Sequence, residues 1–330
     1  MAPNATILGG ISGTVLTAPE RAFFRAADPW GFILFGRNVE SPDQLRRLTG
    51  DLREAVGRDA VITVDQEGGR VQRLRAPHWT EWPAPLDQAP AGARAMWLRY
   101  YLIGRELRDA GIDSDCAPTL DVAQPDTHPF LRDRCLGNDP ETVATLGRAA
   151  ADGLLAAGVL PVIKHMPGHG RAIADSHHGL PTVTAPESDL DALDFAPFRA
   201  LNDLPMGMTA HIRFTALDDA PATASARMIG LIRDLIGFDG LLMTDDITMN
   251  ALSGSEADRA AAAIAAGCDL VLHCNGDIAA MEPVVAAAGP MTPDAQRRAA
   301  AALARRRDPQ EDLDRLALMA EWRDLTRAIS

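Results

Sequence analysis

The densest concentration of groups able to do chemistry lies between Lys164 and His178, in the run KHMPGHGRAIADSHH, which holds four of the chain's eight histidines. Asp175 and His177 stand two apart with Ser176 between them, so in an extended segment both project to the same side. A carboxylate beside an imidazole favours the protonated ring and raises its pKa, which makes His177 a candidate general acid/base. Pro167, Gly168 and Gly170 predict an irregular loop rather than an immediate helix. His165 and His169 offer a different chemistry, as metal ligands at i and i+4, although Pro167 between them disfavours the helical geometry that paired-histidine zinc motifs use. A second candidate is GLLMTDDITM, Gly240 to Met249. There an apolar strand delivers Asp245 and Asp246, and a carboxylate so placed can attack an anomeric carbon or bind a cation. Adjacent strand residues point oppositely, so one of the two faces inward, and Asp246 is suited to capping a helix.

The third candidate is VDQEGGRVQRL, Val64 to Leu74. Gly68 and Gly69 permit tight backbone, Arg70 and Arg73 offer forked donors, and Asp65 can accept from paired hydroxyls. The run is neither a dinucleotide GxGxxG fingerprint nor a Walker motif, so nucleotide binding is disfavoured. Arg134 stands in a similar Arg-rich loop. Lys164 is the single lysine among 32 basic residues. A position that stays lysine while every other cation is arginine points to a need for a compact ammonium. An anionic nucleophile, a His–Asp pair and hydroxyl-binding Asp, Lys and Arg together suit glycoside hydrolysis with retention. One carboxylate forms a covalent intermediate, and a second group, here a histidine, protonates the departing oxygen.

Eight short apolar runs are available to position these groups: Ile7–Ile11, Gly31–Phe35, Ala60–Val64, Ser114–Leu120, Leu160–His165, Met206–Ile212, Gly240–Thr244 and Asp269–Cys274. Helix-spaced segments alternate with them. Met96, Tyr100, Ile103 and Leu107 repeat at four and three residues, as do Val143, Leu146, Ala150 and Leu154. Ser41-Pro42 and Asp139-Pro140 read as N-caps followed by proline at the first helical position. Strand–helix alternation gives a parallel sheet, and eight units predict an α/β fold, a single (β/α)8 TIM-type barrel with a C-terminal helical extension. The expected organisation is one domain over 1–330, with the barrel over about 5–290 and the helices over about 291–330. In such a barrel active-site residues follow the C-terminal ends of the strands. The polar residues obey this rule: Asp65, Gln66 and Glu67 after the third run, then Asp121, Lys164-His165, His211, Asp245-Asp246 and His273.

Composition narrows the classes further. The 330 residues are 47% hydrophobic and 23% charged, ordinary globular usage that excludes disorder. A net charge of −13 argues against nucleic acid as the main partner. Cys116, Cys135, Cys268 and Cys274 show no CxxC spacing, which disfavours a zinc site built on them and fits a reducing cytosol. No apolar run of about 18 residues predicts a membrane span, and the N-terminus lacks the charged start of a secretory signal.

VDQEGGRVQRL, APTLDV, KHMPGHG followed by ADSH, MTAHI and GLLMTDD, preceded by ILFGRN, occur in that order. In these motifs the chain resembles glycoside hydrolase family 3, in particular its single-domain bacterial β-N-acetylhexosaminidases of the NagZ type, over about residues 5–275. The resemblance implies that Asp245 is the nucleophile, His177 the acid/base and Asp175 its partner. It implies that Asp65, Arg73, Arg134, Lys164 and His165 bind a terminal N-acetylglucosamine (GlcNAc). The implied substrate is a small sugar, GlcNAc β-1,4-linked to 1,6-anhydro-N-acetylmuramic acid with or without peptide, met during cell-wall recycling in the cytoplasm. No metal or cofactor, no membrane or nucleic-acid partner, and a monomer are expected. Met166 replaces the family's usual Phe, and Thr248 its usual Ser. Three other chemistries stay open on the residues alone: a retaining phosphorylase using the same groups, a metal-dependent hydrolase built on His165, His169, Asp175 and Asp245, and a non-catalytic sugar-binding barrel.

Overall fold

A computed structural model of the chain describes residues 2–173, 179–308 and 313–327. Eight parallel strands close into a barrel: Asn4–Leu8, Pro29–Leu34, Val61–Val64, Ser114–Asp115, Leu160–Met166, Met206–Thr209, Leu241–Asp246 and Leu270–His273. Each strand pairs with its neighbours in chain order, and the first pairs with the eighth, Thr6 opposite Val271. This is the TIM-type barrel expected from the alternation of runs and helices.

Strand alternation decides what reaches the site. Ile7, Ile33, Val61, Val162, Leu241 and Met243 belong to one packing cluster. Their immediate neighbours Leu8, Phe32, Ile62, Ile163 and Leu242 belong to another, against the helices. With a side-chain period of two, the inward series of the third, fifth and seventh strands continues through Thr63, Val162 and Met243 to Asp65, Lys164 and Asp245. The same alternation that builds the barrel core thus aims these three polar groups at its mouth.

The helices begin where the sequence signals said. Ser41 accepts from Gln44 N–H and Pro42 opens the helix Pro42–Val56. Asp139 accepts from Thr142 N–H at 2.9 Å and Pro140 opens Pro140–Ala156. Three strands depart from expectation by three residues or more at one end. The first strand lies earlier, at Asn4–Leu8, because Gly9 and Gly10 leave the sheet. The fourth spans only Ser114–Asp115 and not 114–120, since Pro118 has no N–H to give to a ladder. The sixth stops at Thr209. Past the eighth strand, helices Ile278–Ala288, Pro293–Leu303 and Arg315–Thr326 pack on the barrel's outside. Among the described residues no helix is long and apolar enough to cross a membrane.

Candidate active site

At the C-terminal mouth of the barrel, Asp65, Arg73, Arg134, Lys164, His165 and Asp245 line one cavity of about 200 Å³. These are six of the eight site residues expected from sequence. The other two, Asp175 and His177, lie outside the described residues.

The Lys164 ammonium, 1% exposed, bridges two carboxylates, reaching Asp65 Oδ1 at 3.0 Å and Glu67 Oε1 at 2.7 Å. Arg73 Nη2 holds the other oxygen of Asp65 at 3.1 Å. Arg134 grips Glu67 with two parallel bonds of 2.9 and 2.8 Å, the bidentate geometry a planar guanidinium provides. Burial alone would raise Asp65, but the Lys164 and Arg73 cations overcome it and hold the carboxyl well below its usual range. Burial is likewise overcome at Glu67 by Arg134 and Lys164, which bring it down to about 2. In return the two carboxylates push Lys164 up against its own burial. Every charge in this cluster is therefore fixed near neutral pH.

His165 stands beside it with both ring nitrogens engaged. Nδ1 lies 2.7 Å from Asp121 Oδ2, and Arg134 Nη2 lies 3.3 Å from Nε2. The ring is thus held between the Arg134 guanidinium, which can only donate, and the Asp121 carboxylate, which accepts. Asp121 also accepts the His169 N–H at 2.6 Å. Burial lowers His169 to about 4, against the pull of Asp121, so its ring is neutral.

On the opposite wall, the two neighbouring acids of the seventh strand have parted roles. Asp246 Oδ1 accepts the backbone N–H groups of Thr248 and Cys274 at 3.0 and 3.2 Å, and its Oδ2 accepts the Thr248 hydroxyl at 2.7 Å. It organises backbone. Asp245 accepts only the Asp246 N–H, at 2.8 Å, among the bonds described. Burial works to raise Asp245, but His165, His211, that N–H and Lys164 together lower it, leaving an ionised carboxylate facing the cavity.

Two residues expected at the rim do other work. His211 is fully buried, with Nε2 2.9 Å from the Asp246 carbonyl and Nδ1 2.8 Å from the Thr223 hydroxyl. Its Nε2–H fastens the end of the strand that carries Asp245. His273 turns to Glu256 at 2.8 Å. Glu67 and Asp121 are the partners that sequence reasoning placed at strand ends without giving them a role. The signal for Glu67 was there: carboxylates two apart, at positions 65 and 67, opposite the only lysine. Phe35 and Phe130 also line the cavity, with Arg73 lying 5.6 Å and Arg70 5.0 Å over their rings. Among the described residues no group of three or more His, Cys, Asp or Glu is arranged to hold a metal ion.

An ionised carboxylate facing a cluster of fixed cations and hydroxyl acceptors can bind a polyol and attack an electrophilic carbon held between them. Comparison with known proteins agrees in kind. The sequence profile described as the glycosyl hydrolase family 3 N-terminal domain matches residues 27–302. A β-hexosaminidase of Alkalilimnicola ehrlichii is 40% identical over 281 residues, 82% of this chain and 80% of the relative. One from Methylococcus capsulatus is 38% identical over 323 residues, 94% of this chain and 95% of the relative. Among solved structures, NagZ from Neisseria gonorrhoeae in complex with N-trifluoroacetyl-D-glucosamine superposes with a TM-score of 0.84 at 28% identity, covering 99% of this chain and 97% of that one. A family 3 β-N-acetylglucosaminidase from Paenibacillus sp. str. FPU-7 gives a TM-score of 0.86 at 30% identity, over 98% of this chain and 67% of that one.

Proposed function

The chain belongs to glycosyl hydrolase family 3 and is a glycoside hydrolase of the β-hexosaminidase kind, and from that premise we propose that it is a retaining exo-β-N-acetylglucosaminidase with Asp245 as nucleophile and His177 as acid/base. The observation that carries this reading is the Asp245 carboxylate, held ionised across one cavity from the Asp65–Lys164–Arg73 cluster. Asp65 accepts from two neighbouring hydroxyls of the terminal sugar, while Lys164, Arg73, Arg134 and His165 fix its orientation. Asp245 attacks C1 as the bond from C1 to the glycosidic oxygen breaks. The protonated His177 imidazole, held by Asp175, gives its proton to that oxygen, and the aglycone leaves as an alcohol. Water then attacks C1, neutral His177 takes its proton, and the C1–Asp245 bond breaks, so the sugar departs with retained configuration. Proton transfer of this kind contributes about 10²–10⁴-fold.

The substrate in this reading is GlcNAc joined to 1,6-anhydro-N-acetylmuramic acid, with or without a peptide stem, in cytoplasmic cell-wall recycling. The complex of the Neisseria gonorrhoeae relative with an N-acylated glucosamine supports the sugar half of that assignment. We take the whole chain to work as one domain and as a monomer.

The test uses 4-nitrophenyl β-GlcNAc beside the matching glucoside. The expected outcome is hydrolysis of the first, and loss of at least about 10²-fold in kcat/KM for GlcNAc-disaccharides in His177→Ala, with a much smaller loss for activated aryl glycosides. Equal losses on both leaving groups remove His177 from the acid role. Formation of GlcNAc-1-phosphate in place of GlcNAc when phosphate is added makes the enzyme a phosphorylase.

A further inference from the structure

Between Met166 and Ile173 the chain makes a turn with four fixed points. Three of them run to the segment after the fourth strand. His169 N–H donates to Asp121 at 2.6 Å, the Gly170 carbonyl accepts the Thr127 hydroxyl at 2.5 Å, and the Ala172 carbonyl accepts the His128 N–H at 3.1 Å. The fourth goes elsewhere. Arg171 Nε donates to Asp194 Oδ2 at 2.6 Å. Asp194 closes the π-helical turn Leu190–Asp194, a geometry that concentrates at functional sites. Its side chain is 1% exposed, and its second oxygen, Oδ1, is buried without a hydrogen-bond partner among the described residues. Gly168 packs on the same residue: a Cβ there would stand 2.8 Å from Asp194 Cβ and 2.9 Å from its carbonyl oxygen. On the far side, Pro181 and Val183 accept backbone bonds from Arg213 and Thr215.

A buried carboxylate with an oxygen unsatisfied costs folding energy. Burial pushes Asp194 up to about 6 despite the Arg171 guanidinium beside it. A pair kept only for stability has no reason to carry that cost three residues before a catalytic segment. We propose that Asp194, acting through Arg171, is a positioning residue for proton transfer: the pair fixes the point from which the chain sets out toward Asp175 and His177. The inference rests on the reading of His177 as acid/base.

Asp194→Asn and Arg171→Ala approach the pair from its two ends. Each is expected to lower kcat/KM about 10²-fold for a β-GlcNAc glycoside with an unactivated alcohol leaving group, the scale of a 1 Å misplacement. For a dinitrophenyl glycoside, whose phenolate leaves unprotonated, the loss is less than about threefold. In the His177→Ala background neither substitution lowers the rate further. Arg171→Lys, which keeps the charge, regains part of the loss. Equal losses on both leaving groups, or an undiminished loss without His177, overturn the positioning role. A His177→Ala enzyme that itself fails to distinguish the leaving groups overturns the acid/base reading instead, so the two failures are separable. If Asp194→Asn does not fold, Arg171→Ala carries the same comparison.

Discussion

At the scale of single residues, the site works by fixing charge. Lys164 fits between Asp65 and Glu67 because an ammonium can face two carboxylates at 3.0 and 2.7 Å without a planar fork's demands. This explains why one lysine persists among 32 basic residues. Directly behind the cluster, Asp115 shows the opposite behaviour. It is fully buried, its Oδ1 accepts Gln66 N–H at 2.9 Å, and its Oδ2 has no hydrogen-bond partner among the described residues. Burial raises it from 3.8 to about 8, with the Gln66 bond and Lys164 opposing and Asp65 and Glu67 assisting. A carboxyl raised in this way is neutral in the fold while the unfolded chain ionises, so the protein loses stability as pH climbs from 3.8 toward about 8. Asp115→Asn removes that dependence. Melting curves across this window should show the variant gaining on the native protein by up to about 1.4 kcal/mol per pH unit. A constant difference between the two would mean that Asp115 is ionised in the fold. The gathering of Asp65, Lys164 and Asp245 at one mouth could be anticipated from their places at strand ends. The setting of His165 could not, since it depends on Arg134 and Asp121, 31 and 44 positions away.

The elements were legible where a local signal fixes them. Ser41-Pro42 and Asp139-Pro140 cap their helices as their chemistry requires. Short apolar runs gave the strands, and the rule that active-site residues follow strand ends put Asp65, Lys164 and Asp245 at the mouth. Legibility failed where the ladder is broken by one atom, as at Pro118, or where a histidine at a strand end serves backbone, as His211 does at Asp246. Helix–helix contact was also hidden. Gly153 faces the helix Gly92–Asp109 so closely that a Cβ would stand 2.5 Å from the Trp97 carbonyl oxygen and 2.9 Å from Tyr101 N. Helix propensity favours Ala over Gly by about 1 kcal/mol, but forcing two backbones apart costs about 1–3 kcal/mol. The clash wins on balance, so Gly153→Ala should lower the melting temperature while leaving KM unchanged. A rise in melting temperature would show that the helices separate freely.

Across the whole molecule, the ion pairs that fasten the C-terminal helices gather at the end of the barrel away from the mouth, while an aromatic contact ties the last helix to the loop after the third strand. Asp113, buried at the start of the fourth strand, accepts Ile62 N–H at 2.8 Å, Arg53 at 3.0 Å and Arg306 at 2.5 Å. Arg306 also pairs with Asp59, Arg315 with Asp109, and Trp322 meets Trp82 edge-on at 5.0 Å. Arg306→Ala leaves a buried carboxylate with one cation fewer, an expected loss of about 1–3 kcal/mol. Thermal unfolding should register that loss while kcat/KM stays at the native value. A fall in kcat/KM with no fall in stability would tie these helices to the chemistry. No motif in the sequence marked this fastening, because salt bridges between residues some two hundred positions apart leave no local pattern. The account as a whole stands on Asp245 bonding to the sugar. Incubation with a slow fluorinated β-GlcNAc glycoside, quenching, and peptide mapping by mass spectrometry tests it most directly. The account predicts one glycosyl adduct, on the peptide and at the side chain of Asp245. An adduct on another carboxylate, or turnover with inverted anomeric configuration and no adduct, would contradict it.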